Sequence, residues 1–288
     1  MRVKAIQIQR KRIKTENSRG DRRNRPRRSG RIRGGTRKRM MQLKDKVAVI
    51  TGGAQGIGRA ICLGMAREGA NVVVADLQAD KAKSVVAELQ VIGAETISIE
   101  VNVSNEISVK RLAEQTFERF GRIDILVNDA GVYLKAPVVN KNEADWDRTI
   151  NVNLGGNFLC ARAFIPSMRQ QKSGRIISLA SSIAHTGGRE FADYAASKAA
   201  IIGFVKALAR ELGPEGITVN AICPGSANTD MPRQHRTEEE TMARLRSTPL
   251  GHVLEPDDIA GPIIFLASDA AAYITGQVYN INCGTVMI

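Results

Sequence analysis

No apolar run in this 288-residue chain approaches the ~18 residues that a membrane-spanning helix needs. No short apolar core follows the basic start, as one would in a secretory signal. The body is therefore expected to be soluble, with no membrane partner. Cysteine is sparse too: Cys62, Cys160, Cys223 and Cys283 are scattered, with no Cys-x-x-Cys pair. That pattern argues against a disulfide framework or a zinc site and predicts reduced, buried thiols in a cytosolic-type compartment. His185, His235 and His252 are too dispersed to hold an ion, so no metal is expected.

Acidic residues are nearly missing from one end. The first 39 residues hold 17 Lys and Arg against two acids, Glu16 and Asp21, whereas the remaining 249 carry 25 basic and 27 acidic side chains. The formal net charge of +13 thus belongs to the leader, and the body is close to neutral. Residues 1–39 also lack large apolar residues in any periodic pattern, so they are expected to be a disordered extension. Three readings of it stand open. It is an extension without function, with Met40-Met41 as an alternative start; or an Arg-rich organelle-targeting segment; or a binder of nucleic acid through clustered arginines, although it has no aromatic residue for base stacking. Location in the cytoplasm is the expectation, with organelle targeting by the leader as the alternative.

From Lys46 onward, short Val/Ile-rich runs alternate with helical patterns. Val47–Ile50, Asn71–Ala75, Thr96–Val101, Ile123–Val127, Arg175–Leu179, Thr218–Ile222 and Gln277–Ile281 read as seven strands. Helices are predicted near Ile57–Glu68, Lys81–Val91, Ile107–Phe120, Ala144–Gln171, Tyr194–Leu212 and Pro256–Ala267. Continuous rather than alternating apolar strands indicate a parallel sheet covered on both faces. Residues 40–288 are thus expected to form one α/β domain, a doubly wound Rossmann-type sheet of seven strands with ligands at the strands' carboxyl ends. The polar stretch Ala227–Leu250, with Thr237–Arg246 readable as a short helix, is either a lid over substrate or a solvated excursion.

Glycine is concentrated where the first strand should give way to a helix, in Thr51-Gly-Gly-Ala-Gln-Gly-Ile-Gly58. Residues without a Cβ permit a tight turn and close approach of the backbone to a pyrophosphate, and the helix start then offers free N–H groups to the anion. The second strand ends in Asp76, whose carboxylate can accept hydrogen bonds from adenosine ribose hydroxyls and would repel a 2′-phosphate. Neither Ala54 nor Gln55 is basic, so NAD is favoured over NADP. Further along, Tyr194-Ala-Ala-Ser-Lys198 follows Ser181 by thirteen positions. A tyrosine and lysine four apart share a helix face, and an ammonium there favours the phenolate of a group that ordinarily titrates near ~10. The combination points to proton exchange at an alcohol or carbonyl oxygen while a cofactor moves a hydride.

With these motifs in place, the body from about Leu43 onward resembles the short-chain dehydrogenase/reductase family, including members similar to 3-oxoacyl-acyl-carrier-protein reductases. The resemblance implies catalytic roles for Asn153, Ser181, Tyr194 and Lys198: Tyr194 as acid/base, Lys198 favouring its phenolate and holding the nicotinamide ribose, Asn153 ordering a water relay, and Ser181 binding the substrate oxygen. It implies cofactor contacts from Gly52, Gln55, Gly56, Ile57, Gly58, Asp76, Asn102, Val103, Asn128, Ala130, Gly131, Pro224, Gly225 and Thr229, with Thr229 at the nicotinamide carboxamide. Asn128-Asp-Ala-Gly131 resembles the segment that supports the central sheet. Asn102 stands where the family keeps an Asp for the adenine amino group, Asp129 replaces an Asn, and Asn282-Cys-Gly284 replaces an acidic–glycine–glycine signature. Substrates implied are small alcohols or ketones, with an NADPH-dependent 3-oxoacyl thioester reductase as the alternative. A homotetramer or dimer is implied by the long helices. A scaffold or nucleic-acid binder working through residues 1–39 is the rival from another class. Cleft-lining side chains are expected to include Tyr133, His185, Thr186, Phe191, Asp193 and Met231.

Overall fold

The computed structural model describes residues 41–229 and 248–288, with Glu239 and Arg246 between them. The expected basic extension over residues 1–39 lies outside the described residues, as do most of the expected helix at Thr237–Arg246 and the cleft candidate Met231. Within the unit Met40–Ile288, seven strands form one sheet: β1 (Val47–Thr51), β2 (Asn71–Asp76), β3 (Thr96–Glu100), β4 (Ile125–Asn128), β5 (Gly174–Leu179), β6 (Ile217–Pro224) and β7 (Val278–Ile281). Their spatial order is β3-β2-β1-β4-β5-β6-β7, and every neighbouring pair is parallel. The chain winds outward from β1 to β3, crosses back, and winds outward again from β4 to β7. Loops leaving β1 and β4 therefore diverge to opposite faces and open a crevice at their carboxyl ends.

The continuous Val/Ile runs follow from this topology. Successive residues of one strand enter different cores: Ala48 and Ile50 of β1, with Val72 and Val74 of β2, face one side, while Val49, Val73 and Ala75 face the other. Helices α1 (Gly56–Arg67), α2 (Ala79–Ile92) and α8 (Pro256–Ala267) cover the first side through Ile61, Met65, Leu89 and Ile263. On the second side lie α3 (Glu106–Phe120), α5 (Gly156–Gln171) and α7 (Ala192–Leu212), with Leu112, Phe164, Met168 and Val205. Phe164 is fully buried, and truncating it to Ala would cost about 3–5 kcal/mol.

Two differences from the sequence-based expectation bear on function. The single helix expected over Ala144–Gln171 is α4 (Glu143–Ile150) and α5 joined by a wide π turn, Asn151–Gly155. Asn142 caps α4 by accepting the Asp145 N–H at 2.7 Å. The glycines that follow the turn let the chain approach its neighbour: a Cβ on Gly156 would lie 2.8 Å from Val103 Cγ2. A one-turn helix, α6 (Ile183–Thr186), follows β5 and is too short to show periodicity in sequence.

Candidate active site

A cleft of about 1500 Å³ lies over the carboxyl ends of the strands, large enough for a dinucleotide together with a small substrate. Its glycine-rich edge is built by close backbone approach. Gly52 has φ +72°, and a Cβ there would meet the Ala130 backbone at 2.9 Å; one on Gly58 would lie 2.1 Å from the Gly52 carbonyl oxygen. Neither contact can relax, because both partners are main chain. Helix α1 starts without a side-chain cap at Gln55, and its first residues Gly56 and Ile57 line the cleft, an arrangement that can hold a phosphate. Across the loop, Thr229 comes within 3.3 Å of a Cβ built on Gly56. These features fit a dinucleotide cofactor.

Of the expected cofactor residues, Gly52, Gln55, Gly56, Ile57, Asp76, Asn102, Val103, Ala130, Gly131, Pro224, Gly225 and Thr229 line the cleft, whereas Gly58 and Asn128 lie behind its wall. Asp76 is fixed at the end of β2: one carboxylate oxygen accepts the Ala54 N–H at 3.0 Å and the other the Gln78 N–H at 2.9 Å. Nearby, the Lys81 ammonium donates to Gln55 Oε1 at 2.8 Å and lines the same cleft. The sequence reading saw no basic group at this end; Lys81 corrects that. Asn102 also behaves differently from expectation. Its amide oxygen accepts both the Ser104 N–H at 3.0 Å and the Ser104 hydroxyl at 2.7 Å, which leaves no lone pair for an adenine amino group in this arrangement. Asn128 is buried, and neither polar atom of its side chain has a partner among the described residues; its ladder neighbour Ser178 likewise has an unpartnered hydroxyl.

Ser181, Tyr194 and Lys198 come together at the other end of the cleft. The Tyr194 hydroxyl shares a side-chain hydrogen bond with Ser181, but burial dominates and pushes the phenol up to about 12. Lys198 Nζ donates to the Leu179 carbonyl at 2.5 Å and lies 5.7 Å from the Tyr194 ring centre. Burial also pulls Lys198 below the ordinary lysine range, against the support of Asp129. For Tyr194 the rise comes from desolvation of the phenolate, with the Ser181 bond opposing it.

Asn153, in the π turn, is fully buried and does not reach the cleft. Its amide donates to the Val132 carbonyl at 2.9 Å and to Ser197 Oγ at 3.0 Å, and its oxygen accepts the Val132 N–H at 2.8 Å. Its main-chain carbonyl accepts from Asn157 Nδ2 at 2.7 Å. In this geometry Asn153 holds the Val132 segment against α7 at Ser197, the residue directly before Lys198.

Tyr133, Thr186 and Phe191 line the substrate end as expected; His185 and Asp193 do not. Tyr133 packs edge-on against Phe191 and Tyr194, at ring-centre distances of 5.2 and 5.3 Å. Asp193 is instead wholly buried beneath the site, where it accepts from Lys141 Nζ and Thr149 Oγ1, each at 2.8 Å. Burial alone would raise its pKa, but these bonds and the Tyr194 N–H hold it below the usual carboxylate range. Lys141 Nζ also donates to the Leu134 carbonyl at 2.5 Å, so the pair clamps the loop after Gly131 to the start of α7. Neither Lys141 nor Thr149 was marked by any motif. Among the cysteines, Cys62, Cys160 and Cys223 are buried as expected, while Cys283 is partly exposed on the cleft wall.

The family model described as "Enoyl-(Acyl carrier protein) reductase" matches residues 52–286. The (2S)-[(R)-hydroxy(phenyl)methyl]succinyl-CoA dehydrogenase subunit BbsD of Thauera aromatica is 41% identical over 244 residues, covering 85% of this chain and 97% of that protein. This chain is a short-chain dehydrogenase/reductase. The 3-oxoacyl-[acyl-carrier-protein] reductase FabG of Thermotoga maritima is 39% identical over 249 residues, covering 86% of this chain and all of that protein. A gluconate 5-dehydrogenase candidate from Beutenbergia cavernae, described as NAD(P) dependent and solved with NADP at low occupancy, superposes with a TM-score of 0.81 at 36% identity, over 85% of this chain and 98% of that one. As a member of the family, this short-chain dehydrogenase/reductase is an NAD(P)-dependent oxidoreductase acting on CH–OH and carbonyl groups of small molecules.

Proposed function

We propose that this enzyme interconverts a secondary alcohol and a ketone with NAD(H) as the preferred cofactor. The observation that carries the chemistry is the Tyr194 hydroxyl, hydrogen-bonded to Ser181 on the wall of a cleft that is also lined by a glycine cradle. A bound nicotinamide dinucleotide supplies the hydride acceptor or donor. Tyr194 takes the alcohol proton or returns it to the carbonyl oxygen. The Ser181 hydroxyl holds that oxygen and stabilises the charge that develops on it. Lys198, while charged, favours the phenolate and offers donors to a ribose. Asn153 fixes the Val132 segment and so keeps the floor of the site in register with α7.

The preference for NAD(H) rests on Asp76, whose negative charge is held at the end of β2 by two backbone N–H groups. The second reading, NADPH-dependent reduction of a 3-oxoacyl thioester, is favoured by Lys81 in the same cleft and by the names of several relatives. Turnover of a ketone panel, including a 3-oxoacyl thioester, with NADH and NADPH in parallel separates the two. A clear advantage for NADPH would overturn the first reading.

Residues 40–288 are taken as the whole catalytic domain, acting in the cytoplasm, and residues 1–39 as a basic extension not needed for chemistry. Removing residues 1–39 should leave turnover unchanged; loss of turnover would contradict this. A homotetramer or dimer is supported by the exposed aromatic rings of Trp146 and Phe158 on α4 and α5, 42% and 46% accessible. Light scattering that gave a monomer mass would remove it.

A further inference from the structure

Asp129 is a carboxylate on the cleft wall to which the proton transfer above assigns no role. The chain leaves β4 at Asn128 and turns the next side chain onto the first turn of α1. The Gly58 N–H donates to this carboxylate, and a Cβ on Gly58 would lie 2.8 Å from Asp129 Oδ2. Asp129 therefore occupies one of the helix-start donors and places its charge where the glycine cradle would otherwise present a purely positive end to a pyrophosphate.

We propose that Asp129 is a neutral carboxylic acid whenever a dinucleotide is bound, so that the cofactor enters together with a proton. The inference rests on the reading of this cleft as a dinucleotide site. An anionic carboxylate beside two phosphates opposes binding, whereas a neutral one does not and can keep its acceptor oxygen on Gly58. The free protein is already poised for the exchange: burial pushes the Asp129 carboxyl above the usual carboxylate range, Lys198 and the Gly58 N–H oppose the rise, and Asp76 adds to it.

The groups that face Asp129 are Asp76 from β2, Cys62 from α1, and Tyr194 and Lys198 from α7. Cys62 and Tyr194 are both pushed up by burial and stay neutral through the physiological range. Lys198 is pulled below the ordinary lysine range by burial and can lose its charge too. Its loss of charge weakens anion binding in the same direction as ionisation of Asp129, so the test must separate the two.

Calorimetry of NAD binding in buffers of different ionisation enthalpy, from pH 6.5 to 9, reads the proton directly. The intact chain should take up a fraction of a proton per dinucleotide at neutral pH, and its Kd should rise with pH, by up to about tenfold per unit once Asp129 is ionised in the free protein. In a Lys198→Arg background, which keeps the positive charge beside Asp129 but does not titrate in this range, uptake should persist with Asp129 present and vanish with Asp129→Asn. Uncharged adenosine should bind without uptake. Equal uptake with and without Asp129 in that background overturns the proposal. So does a Kd of the intact chain that is flat from pH 6 to 8.5, a measurement that needs no variant to fold. Absence of any dinucleotide binding would instead overturn the reading of the cleft itself.

Discussion

At the adenosine end of the cleft the walls are main chain: Gly52 and Gly58 press against the Ala130 and Gly52 backbones, and Asp76 is held by two N–H groups. At the substrate end the walls are side chains, with Tyr133, Phe191 and Tyr194 packed ring to ring above the buried Lys141–Asp193 pair. A backbone cradle is set by which positions lack a Cβ, and it leaves a compact local signature. A side-chain wall is set by contacts among residues 50 or more positions apart, such as Lys141 with Asp193, and can be rebuilt without altering the cradle. The first end fixes the cofactor class; the second is free to choose the substrate.

The comparison breaks most sharply at Tyr194. Tyr194→Phe should lower turnover by roughly 10²–10⁴-fold while NAD binding, followed by calorimetry, changes little. Equal losses in both would mean that the two ends are not separable. Next in size is Lys141→Met, which leaves the Asp193 carboxylate buried and unpaired. It should cost about 3–5 kcal/mol at pH 7, read by urea unfolding, and raise KM for the substrate more than KM for the dinucleotide. In the intact protein the folded carboxyl of Asp193 lies below its unfolded value, so the pair's stabilisation is full above the ordinary Asp range and is lost as pH falls through the folded value. The deficit of the variant should therefore shrink on acidification.

Gly58→Ala attacks the opposite end. With the added methyl 2.1 Å from the Gly52 carbonyl oxygen, it should cost roughly 1–3 kcal/mol and weaken dinucleotide binding ahead of substrate binding. Since burial pushes the Tyr194 phenol up to about 12, alcohol oxidation, which needs the phenolate, should rise with pH from 6 to 7, where Lys198 keeps its charge. Carbonyl reduction, which needs the phenol, should stay level over the same range, and initial rates in both directions check the pair of slopes. The smallest effect is expected for Lys81→Ala. It should reduce NADPH use a few-fold, on the scale of about 1 kcal/mol or less for an exposed charge, and leave NADH use alone.

The sheet was readable because its central strands β1, β4, β5 and β6 are buried along their whole length and are largely apolar, while the edge strands β3 and β7 are only partly buried. The cradle was readable because its glycines are adjacent in the chain. What stayed hidden has physical reasons. The π turn at Asn151–Gly155 changes no residue's helical preference and shows only in the bonds it makes. The one-turn α6 has no period to detect. The Lys141–Asp193–Thr149 cluster joins three segments that carry no common pattern, so Asp193 looked like a cleft residue when it is buried beneath one. Lys81 lies in the first turn of α2, after β2, far in sequence from the glycine loop that was searched for basic groups. For Tyr194, the spacing to Lys198 was correct, but spacing says nothing about desolvation, and desolvation sets the proton affinity here.

Thr149, Asn153 and Asn157 fall four apart, and all three are buried. Across the wide turn, the first two meet Asp193 and Ser197 on α7, and the third braces Asn153 from behind. Removing one residue between 150 and 156 would swing everything downstream by about 100° and seat Val152 or Leu154 where an amide is needed. Chain length at that bend is consequently a fixed quantity: descendants of this sequence can gain or shed residues along the rim, but a single gap at the bend should be lethal to the enzyme.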